Sequence, residues 1–317
     1  MSLKDGISRR LTQIQHLWMG RPEVVIYFGA GIGDDLLCGT VAHELKKRGT
    51  GRIVMISRHP SLFEHSPDVA AVYNYGYATV GRRHRWGYGW LAPQFSVYDK
   101  ETDRDVFPNE HLLITMCRKA GLTGTIELRP YLTLLASEKA AGRLLDNQIA
   151  IQSGGLGQMK NKDWLPERYQ AVADQLGNGF GMVQLGLKQD PPIQGALDLR
   201  GKTTLRESAA ILASSRLFIG QVGFLMHVAR AVDCRSVIVY GGREDPFVSG
   251  YRVNENIVGR TICSPCWQRN KCDYGHECMK MIEPDQVVAA VRRQLERVGT
   301  PLEVEQVTLD MPQSVLT

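Results

Sequence analysis

Asp34 is the first residue whose setting suggests chemistry, because it closes the glycine-rich stretch YFGAGIG at residues 27–33. A nicotinamide-binding loop would have a third glycine at this position and an acidic residue after the second strand, and the sequence has neither. Arg58 could instead bind a 2′-phosphate, which keeps an NADP-dependent oxidoreductase as an alternative. Asp34 either caps the following helix or, where Asp35 is the cap, projects into a cleft as a reactive carboxylate.

A second glycine loop lies in the other half of the chain. Gln221, Val222 and Gly223 follow an apolar run of strand length, and a helical pattern opens at Phe224. Gly223 permits close backbone approach, and the amides at a helix start bind anions. His227, one turn into this helix, is either a structural histidine or a ligand-binding one.

Four cysteines form a third candidate site. Cys263, Cys266, Cys272 and Cys278 have the spacing C-x2-C-x5-C-x5-C. Four thiolates suit tetrahedral zinc or iron, and His276 could replace one of them. Four protein ligands leave no open position, so the sequence predicts a structural zinc or iron site at 263–278 rather than a catalytic one. The alternative is four reduced cysteines without a metal.

The composition sets limits on the class of protein. The sequence has 317 residues, a net charge of +5 and 43% hydrophobic residues, which suits a globular protein with two cores. The modest basic excess favours an anionic ligand without requiring nucleic acid, and we expect no nucleic-acid partner. No apolar run reaches the roughly 20 residues of a membrane-spanning helix, and a secretory signal is lacking. We therefore expect a cytoplasmic protein with reduced cysteines. Peripheral contact with the inner membrane and homo-oligomerisation remain open.

Strand-length apolar runs alternate with helical patterns along most of the chain, which predicts an α/β fold with parallel sheets. The pattern restarts near residues 140–150, which predicts two Rossmann-like domains facing a cleft, at 1–145 and 146–317. A short amphipathic helix is expected at residues 1–20, and a last long helix at 285–297. Residues 74–110 lack periodicity and are interpreted as exposed loops and short strands.

Four segments, in order along the chain, resemble glycosyltransferase family 9, the heptosyltransferases and their relatives. GIGDDLL at 31–37 is similar to the entry motif G-x-G-D-x-L-x-x-x-P, and residues 160–176 contain K-x-W-x-x-E-x-[FY]. Residues 197–220 are similar to the L-x-G-x-T-S-L-x-E stretch of that family. Residues 220–246 resemble its D-S-G-x-x-H-x-A-x-A-x-G-x-P segment.

The resemblance implies a GT-B fold and inverting sugar transfer from a nucleotide diphosphate donor, usually ADP-heptose, without a catalytic divalent metal. It implies that Asp34 is the catalytic base and that Lys162 helps to bind the donor phosphate. Gln221, Gly223 and His227 then lie at the donor diphosphate and sugar. Residues 1–145 would be the acceptor domain and 146–317 the donor domain. The cysteine-rich insert is similar to that of the iron-containing autotransporter heptosyltransferases.

The sequence departs from the family pattern at the donor loop. Gln221 and Val222 replace the Asp and Ser of D-S-G, which puts the identity of the donor sugar in question. The proline of the entry motif is also absent. Three arginines of the loop GRRHRWGYGW at 81–90 are candidates to bind an anionic acceptor, although an ordinary solvated loop would explain them too; they are Arg82, Arg83 and Arg85.

The leading hypothesis is therefore an inverting glycosyltransferase that moves heptose or a related sugar to a glycan, lipid, protein or small-molecule hydroxyl. Two alternatives come from other classes. One is the NADP-dependent oxidoreductase, and the other is a non-catalytic, metal-stabilised nucleic-acid-binding protein that would use the cysteine cluster and the arginine-rich loop.

Overall fold

The computed structural model describes residues 23–27, 31–74, 89–91, 93–106, 109–155 and 159–310. The described strands are, in chain order, β1 (Val24–Tyr27), β2 (Ile53–Ser57), β3 (Ala71–Asn74), β4 (Gly89–Leu91), β5 (Val97–Asp99), β6 (Arg104–Val106), β7 (Gly124–Glu127), β8 (Ile149–Ile151), β9 (Met182–Gln184), β10 (Leu197–Asp198), β11 (Leu217–Gln221), β12 (Ser236–Val239), β13 (Glu255–Ile257) and β14 (Gln306–Leu309). The described α-helices are α1 (Ile32–Lys47), α2 (Leu112–Lys119), α3 (Ala136–Ala141), α4 (Pro166–Leu176), α5 (Leu205–Ala213), α6 (Phe224–Ala231), α7 (Pro246–Ser249), α8 (Glu277–Lys280) and α9 (Pro284–Glu296). The helix expected at residues 1–20 lies outside the described residues.

Two parallel sheets form the framework. The first has the strand order β3-β2-β1-β4, and the second has the order β10-β9-β8-β11-β12-β13. All pairings in both sheets are parallel. The predicted α/β class with parallel sheets is therefore confirmed.

The second sheet is buried on both faces, as its continuous apolar strands predict. In β11, Leu217 and Ile219 point to one face, where they pack with Trp164 and Val291. Phe218 points to the other face and joins a core cluster that also contains Ile26 and Leu36 of the first half. The two halves of the chain therefore share a continuous apolar core.

Two smaller pairings connect distant parts of the chain. Strand β14 pairs antiparallel with β7, with Gln306 opposite Glu127, so the chain returns to its first half after α9. Strands β5 and β6 form an antiparallel hairpin, and Arg104 in it forms a bridge with Gln268 of the cysteine-rich segment. In the described part of the chain, no helix is both long and apolar enough to cross a membrane.

The strand order indicates where a ligand would bind in each sheet. The chain leaves β8 towards β9 on one side and later returns to place β11 on the other side. The loops after β8 and β11 therefore diverge at their carboxyl ends and leave a crevice, the usual ligand position in open α/β sheets. In the first sheet β2 and β4 flank β1, which places the start of α1 at the corresponding point.

Candidate active site

Asp34 lies in the first turn of α1 and lines a cavity of about 130 Å³. Its Oδ2 atom accepts a hydrogen bond of 2.7 Å from the backbone N–H of Gly31, the residue that caps the helix. The two hypotheses for Asp34 are therefore compatible, because one carboxylate satisfies the helix start and also faces the cavity.

Asp35 does not cap the helix. Its buried carboxylate accepts a bond of 2.5 Å from the Ser57 hydroxyl and a bond of 3.2 Å from the backbone N–H of Arg58. It also lies 3.0 Å from Nδ1 of His59. Asp35 thus ties α1 to the end of β2 and fixes the direction of the first helical turn.

The electrostatic setting of Asp34 suits a proton acceptor. Burial raises the pKa of Asp34 from 3.8 to about 6, and the negative charges of Asp35 and Asp105 add to this effect. The hydrogen bond from Gly31 and the positive charge of Lys162 act in the opposite direction. Asp34 is therefore ionised above about pH 6 and is a stronger base than an exposed aspartate.

The start of α6 forms the opposite wall of the cavity. Gly223 caps this helix, and a Cβ atom built on it would meet no atom within 4 Å. A Cβ atom on Gly33 would lie 3.7 Å from the His227 ring and 3.9 Å from Cα of Phe224. The starts of α1 and α6 therefore meet closely at Gly33, while the space beside Gly223 is open, and Asp34 and Gly223 line the same cavity.

His227 is buried beside this helix start. Its Nδ1 atom is 2.6 Å from the Tyr251 hydroxyl, and the two rings pack edge to face at 5.7 Å. Burial lowers the pKa of His227 to about 3, and the positive charge of Lys162 adds to the effect. The imidazole is therefore neutral at neutral pH and can donate one hydrogen bond without carrying a charge.

Lys162 reaches the same cavity from the loop before α4, where its Nζ atom lies 2.6 Å from Glu244 Oε1. Burial raises the pKa of Glu244, but Lys162 and Arg243 and the bonds from Lys162 and Ser249 outweigh it and lower the value to about 2. The Ser249 hydroxyl donates to Glu244 Oε2 at 3.0 Å. Glu244 is thus an ionised partner for the lysine at neutral pH.

Gln221 lies next to the described cavity lining rather than in it. Its Nε2 atom donates to Asp163 Oδ1 at 3.2 Å, while its buried Oε1 atom has no hydrogen-bond partner. Burial raises the pKa of Asp163. The end of β11 therefore does have a carboxylate nearby, supplied by the residue that follows Lys162 rather than by position 221.

Three charged residues in the cavity wall were not predicted from the sequence. Asp105 comes from the β5–β6 hairpin, Arg243 follows β12, and Arg269 belongs to the cysteine-rich segment. No motif or spacing marks them, because they come together only through long-range contacts. The candidate acceptor residues Arg82, Arg83 and Arg85 lie outside the described residues.

The four cysteines of the predicted metal site line one small second cavity, together with His276. All four are free thiols, and His276 Nε2 lies 2.8 Å from Asn161 Oδ1. Among the described residues, no group of three or more His, Cys, Asp or Glu side chains is arranged to hold a metal ion. Arg243 is in the walls of both cavities.

Solved structures share this architecture. Escherichia coli ADP-heptose lipopolysaccharide heptosyltransferase II has a TM-score of 0.65 and 16% identity, over 87% of this chain and 99% of that chain. A family 9 glycosyltransferase from Veillonella parvula has a TM-score of 0.67 and 18% identity, over 86% and 97%. TibC, a dodecameric iron-containing glycosyltransferase of enterotoxigenic E. coli, has a TM-score of 0.68 and 18% identity, over 87% and 76%. The fold is therefore that of the GT-B heptosyltransferases.

The sequence also matches a known protein family. Residues 125–276 match the model of glycosyltransferase family 9 (heptosyltransferase). No curated protein matches the sequence significantly. The family match and the fold together support a glycosyltransferase that uses a nucleotide-sugar donor, which is the leading of the three hypotheses from the sequence.

Proposed function

We propose that the protein transfers heptose or a related sugar from an ADP-linked donor to an acceptor hydroxyl, with inversion at the anomeric carbon. The observation that carries this proposal is that a single cavity is lined by Asp34, Lys162, Gly223 and His227. These residues come from distant parts of the sequence and combine a proton acceptor with the groups that an anionic leaving group needs.

Asp34 acts as the general base in this proposal. Its ionised carboxylate takes the proton of the acceptor hydroxyl, and the acceptor oxygen forms a bond to the anomeric carbon. The bond from that carbon to the diphosphate oxygen breaks on the opposite face, and the nucleoside diphosphate leaves with the electron pair. A pKa of about 6 keeps Asp34 ionised at neutral pH and places its basicity near the value at which proton transfer is most effective.

The donor lies at the crevice between β8 and β11 in this proposal, with 146–317 as the donor domain and 1–145 as the acceptor domain. The open space at Gly223 and the amides at the start of α6 fit the diphosphate, and neutral His227 donates to it or to the sugar. When the donor binds, the ammonium group of Lys162 leaves Glu244 and pairs with the phosphate instead. These groups supply the positive charge that departure requires, so we expect transfer without an added divalent ion.

The proposed identity of the nucleotide is supported by the similar solved structures, whereas the proposed identity of the acceptor is supported by the sequence. Heptosyltransferase II is described by its ADP-heptose donor, and a complex of TibC contains ADP-D-β-D-heptose, which favours adenosine diphosphate here. For the acceptor, we propose an anionic glycan, lipid or other hydroxyl compound bound by the arginine-rich loop. A cytoplasmic site of action, with peripheral contact at the inner membrane, fits a lipid acceptor. The dodecameric state of TibC makes homo-oligomerisation a reasonable expectation.

Thermal-shift measurements test the proposed donor class. We expect ADP and ADP-heptose to raise the melting temperature, because a ligand that binds only the folded state stabilises it, and NADPH to leave it unchanged. UDP- and GDP-sugars serve as nucleotide controls. Stabilisation by NADPH but by none of the nucleotide sugars would favour the oxidoreductase alternative. Mass spectrometry of reactions with candidate acceptors then identifies the product.

We also propose a structural zinc or iron ion at the cysteine-rich segment. The convergence of Cys263, Cys266, Cys272 and Cys278 on one cavity supports it, since tetrathiolate sites suit either metal. The iron-containing nature of TibC supports it too. Protein purified without added metal should contain about one ion per chain, and Cys278→Ser should lower both the metal content and the melting temperature. Metal-free protein with four titratable thiols would contradict this proposal. Cys234 is a buried free cysteine outside the cluster, so Cys234→Ser should leave the metal content unchanged and controls that measurement.

A further inference from the structure

The β5–β6 hairpin connects the first half of the chain to the cysteine-rich segment. Asp105 donates its backbone N–H to the carbonyl oxygen of Trp267 at 3.0 Å, and Arg269 donates its backbone N–H to the carbonyl oxygen of Asp103 at 3.0 Å. The carboxylate of Asp103 accepts bonds of 2.9 and 3.1 Å from the backbone N–H groups of Asn270 and Lys271. The hairpin is thus fixed to the second half by both backbone and side-chain bonds.

Asp105 extends this connection into the cavity. One oxygen of its buried carboxylate accepts bonds of 2.6 and 3.1 Å from Arg269, and the other accepts a bond from Arg243. Arg243 also donates to Glu244 Oε1, the same oxygen that pairs with Lys162. An unbroken series of ion pairs therefore runs from the hairpin to the lysine of the proposed donor site.

The charges in this series depend on one another. Arg243 and Arg269 are two cations in the wall of the cavity that contains Asp34, and Asp105 is the carboxylate that both of them bind. The other charged groups around Asp34 are Asp35, Lys162 and Glu244, of which the last two neutralise each other. His227 faces the cavity in its neutral form. Without Asp105, Arg269 would lose its only described carboxylate partner, and Arg243 would retain Glu244 as its one described carboxylate partner.

We propose that Asp105 is a positioning residue for transfer, which holds Arg243 and Arg269 in the cavity wall and preserves the basicity of Asp34. The proposal rests on the proposed function, in which Asp34 is the base. It assigns the hairpin a role in the site: the first half of the chain supplies not only the base, on α1, but also the charge that balances the arginines of the second half. Asp103, two residues earlier, anchors the same hairpin without lining the cavity.

A carboxyl ¹³C NMR titration of aspartate-labelled protein tests this role without a substrate. The Asp34 signal is assigned by its loss in Asp34→Asn. In Asp105→Asn we expect the Asp34 midpoint to fall by roughly one pH unit, because the two arginines then favour the ionised carboxylate. In Arg269→Gln we expect it to rise, because a cation is lost and Asp105 remains. In Asp103→Asn, which perturbs the hairpin but not the cavity charges, we expect no shift.

Activity provides a second readout. The acid limb of ADP release from ADP-heptose should move in the same direction as each NMR midpoint. An unchanged midpoint in folded Asp105→Asn would overturn the proposal, and so would equal shifts in Asp105→Asn and Asp103→Asn, which would show a merely structural effect. Should Asp105→Asn fail to fold, an unchanged midpoint in Arg269→Gln overturns it equally. Full turnover in Asp34→Asn would instead reject the role of Asp34 as the base. The NMR titration would still show whether Asp105 changes the pKa of Asp34, because it does not depend on activity.

Discussion

Asp34→Asn should reduce sugar transfer by about 10²- to 10⁴-fold, the usual contribution of a general base, while ADP-heptose still binds. The amide retains the size of the side chain and an oxygen that can accept the Gly31 N–H bond, but it cannot take the acceptor proton. Single-turnover rates and calorimetric affinity measure the two effects separately. Wild-type turnover in this variant would contradict the role of Asp34.

The pH dependence gives an independent check on the same residue. Because the pKa of Asp34 is raised to about 6, wild-type transfer should increase with pH through that value and level off above pH 7. A raised carboxyl pKa means that the folded protein favours the protonated form, so the buried carboxylate reduces stability as pH rises through about 6. Asp34→Asn removes this cost. Its melting temperature at pH 8 should therefore be no lower than that of the wild type, which separates loss of chemistry from loss of fold.

Local patterns along the chain were sufficient to predict the parallel sheets and the loops beside them. The apolar runs at β2, β11 and β12 and the centre of β1 are buried on both faces, so their composition alone marks them as central strands. The position of Asp34 was predictable because a glycine loop between a strand and a helix must lie at the carboxyl edge of the sheet. Its simultaneous role in the helix cap was not, since the sequence left either aspartate available for that task.

Contacts between distant parts of the chain determine where α3 ends and which residues of 74–110 are buried, and the sequence patterns did not predict either. The sequence pattern of residues 132–145 is typical of a helix, but α3 covers only Ala136–Ala141. A Cβ atom on Gly142 would lie 2.1 Å from the carbonyl oxygen of Ala210, so the chain ends its helix where it packs against α5. The interpretation of 74–110 as exposed loops and short strands was right about the short strands, which are present as β4, β5 and β6, but wrong about the exposure of Phe95 and Asp105, which are buried. Asp105 is buried against Arg243 and Arg269, which lie more than 100 residues away in the sequence, and no local pattern reports such contacts.

Lys162→Met should weaken ADP binding by about 10- to 100-fold, the value of one charge-assisted hydrogen bond to a phosphate. Methionine keeps much of the apolar stem of lysine but removes the ammonium group. Glu244 would retain Arg243 and Ser249 as partners, so the buried carboxylate is not left without a donor. Calorimetric titration with ADP measures the loss, and the melting temperature without ligand reports any effect on the fold.

Two further variants make this prediction specific to the donor site. Lys160→Met removes an exposed lysine two residues away and should leave ADP affinity unchanged, which controls for the overall charge of the protein. Glu244→Gln keeps Lys162 but removes its carboxylate partner. Lys162 then has no ion pair to break when it binds the phosphate, so ADP affinity should stay the same or increase. Equal weakening by Lys162→Met and Lys160→Met would mean that the lysine acts only through net charge. Strong weakening by Glu244→Gln would show instead that the ion pair, rather than the free ammonium group, organises the phosphate site.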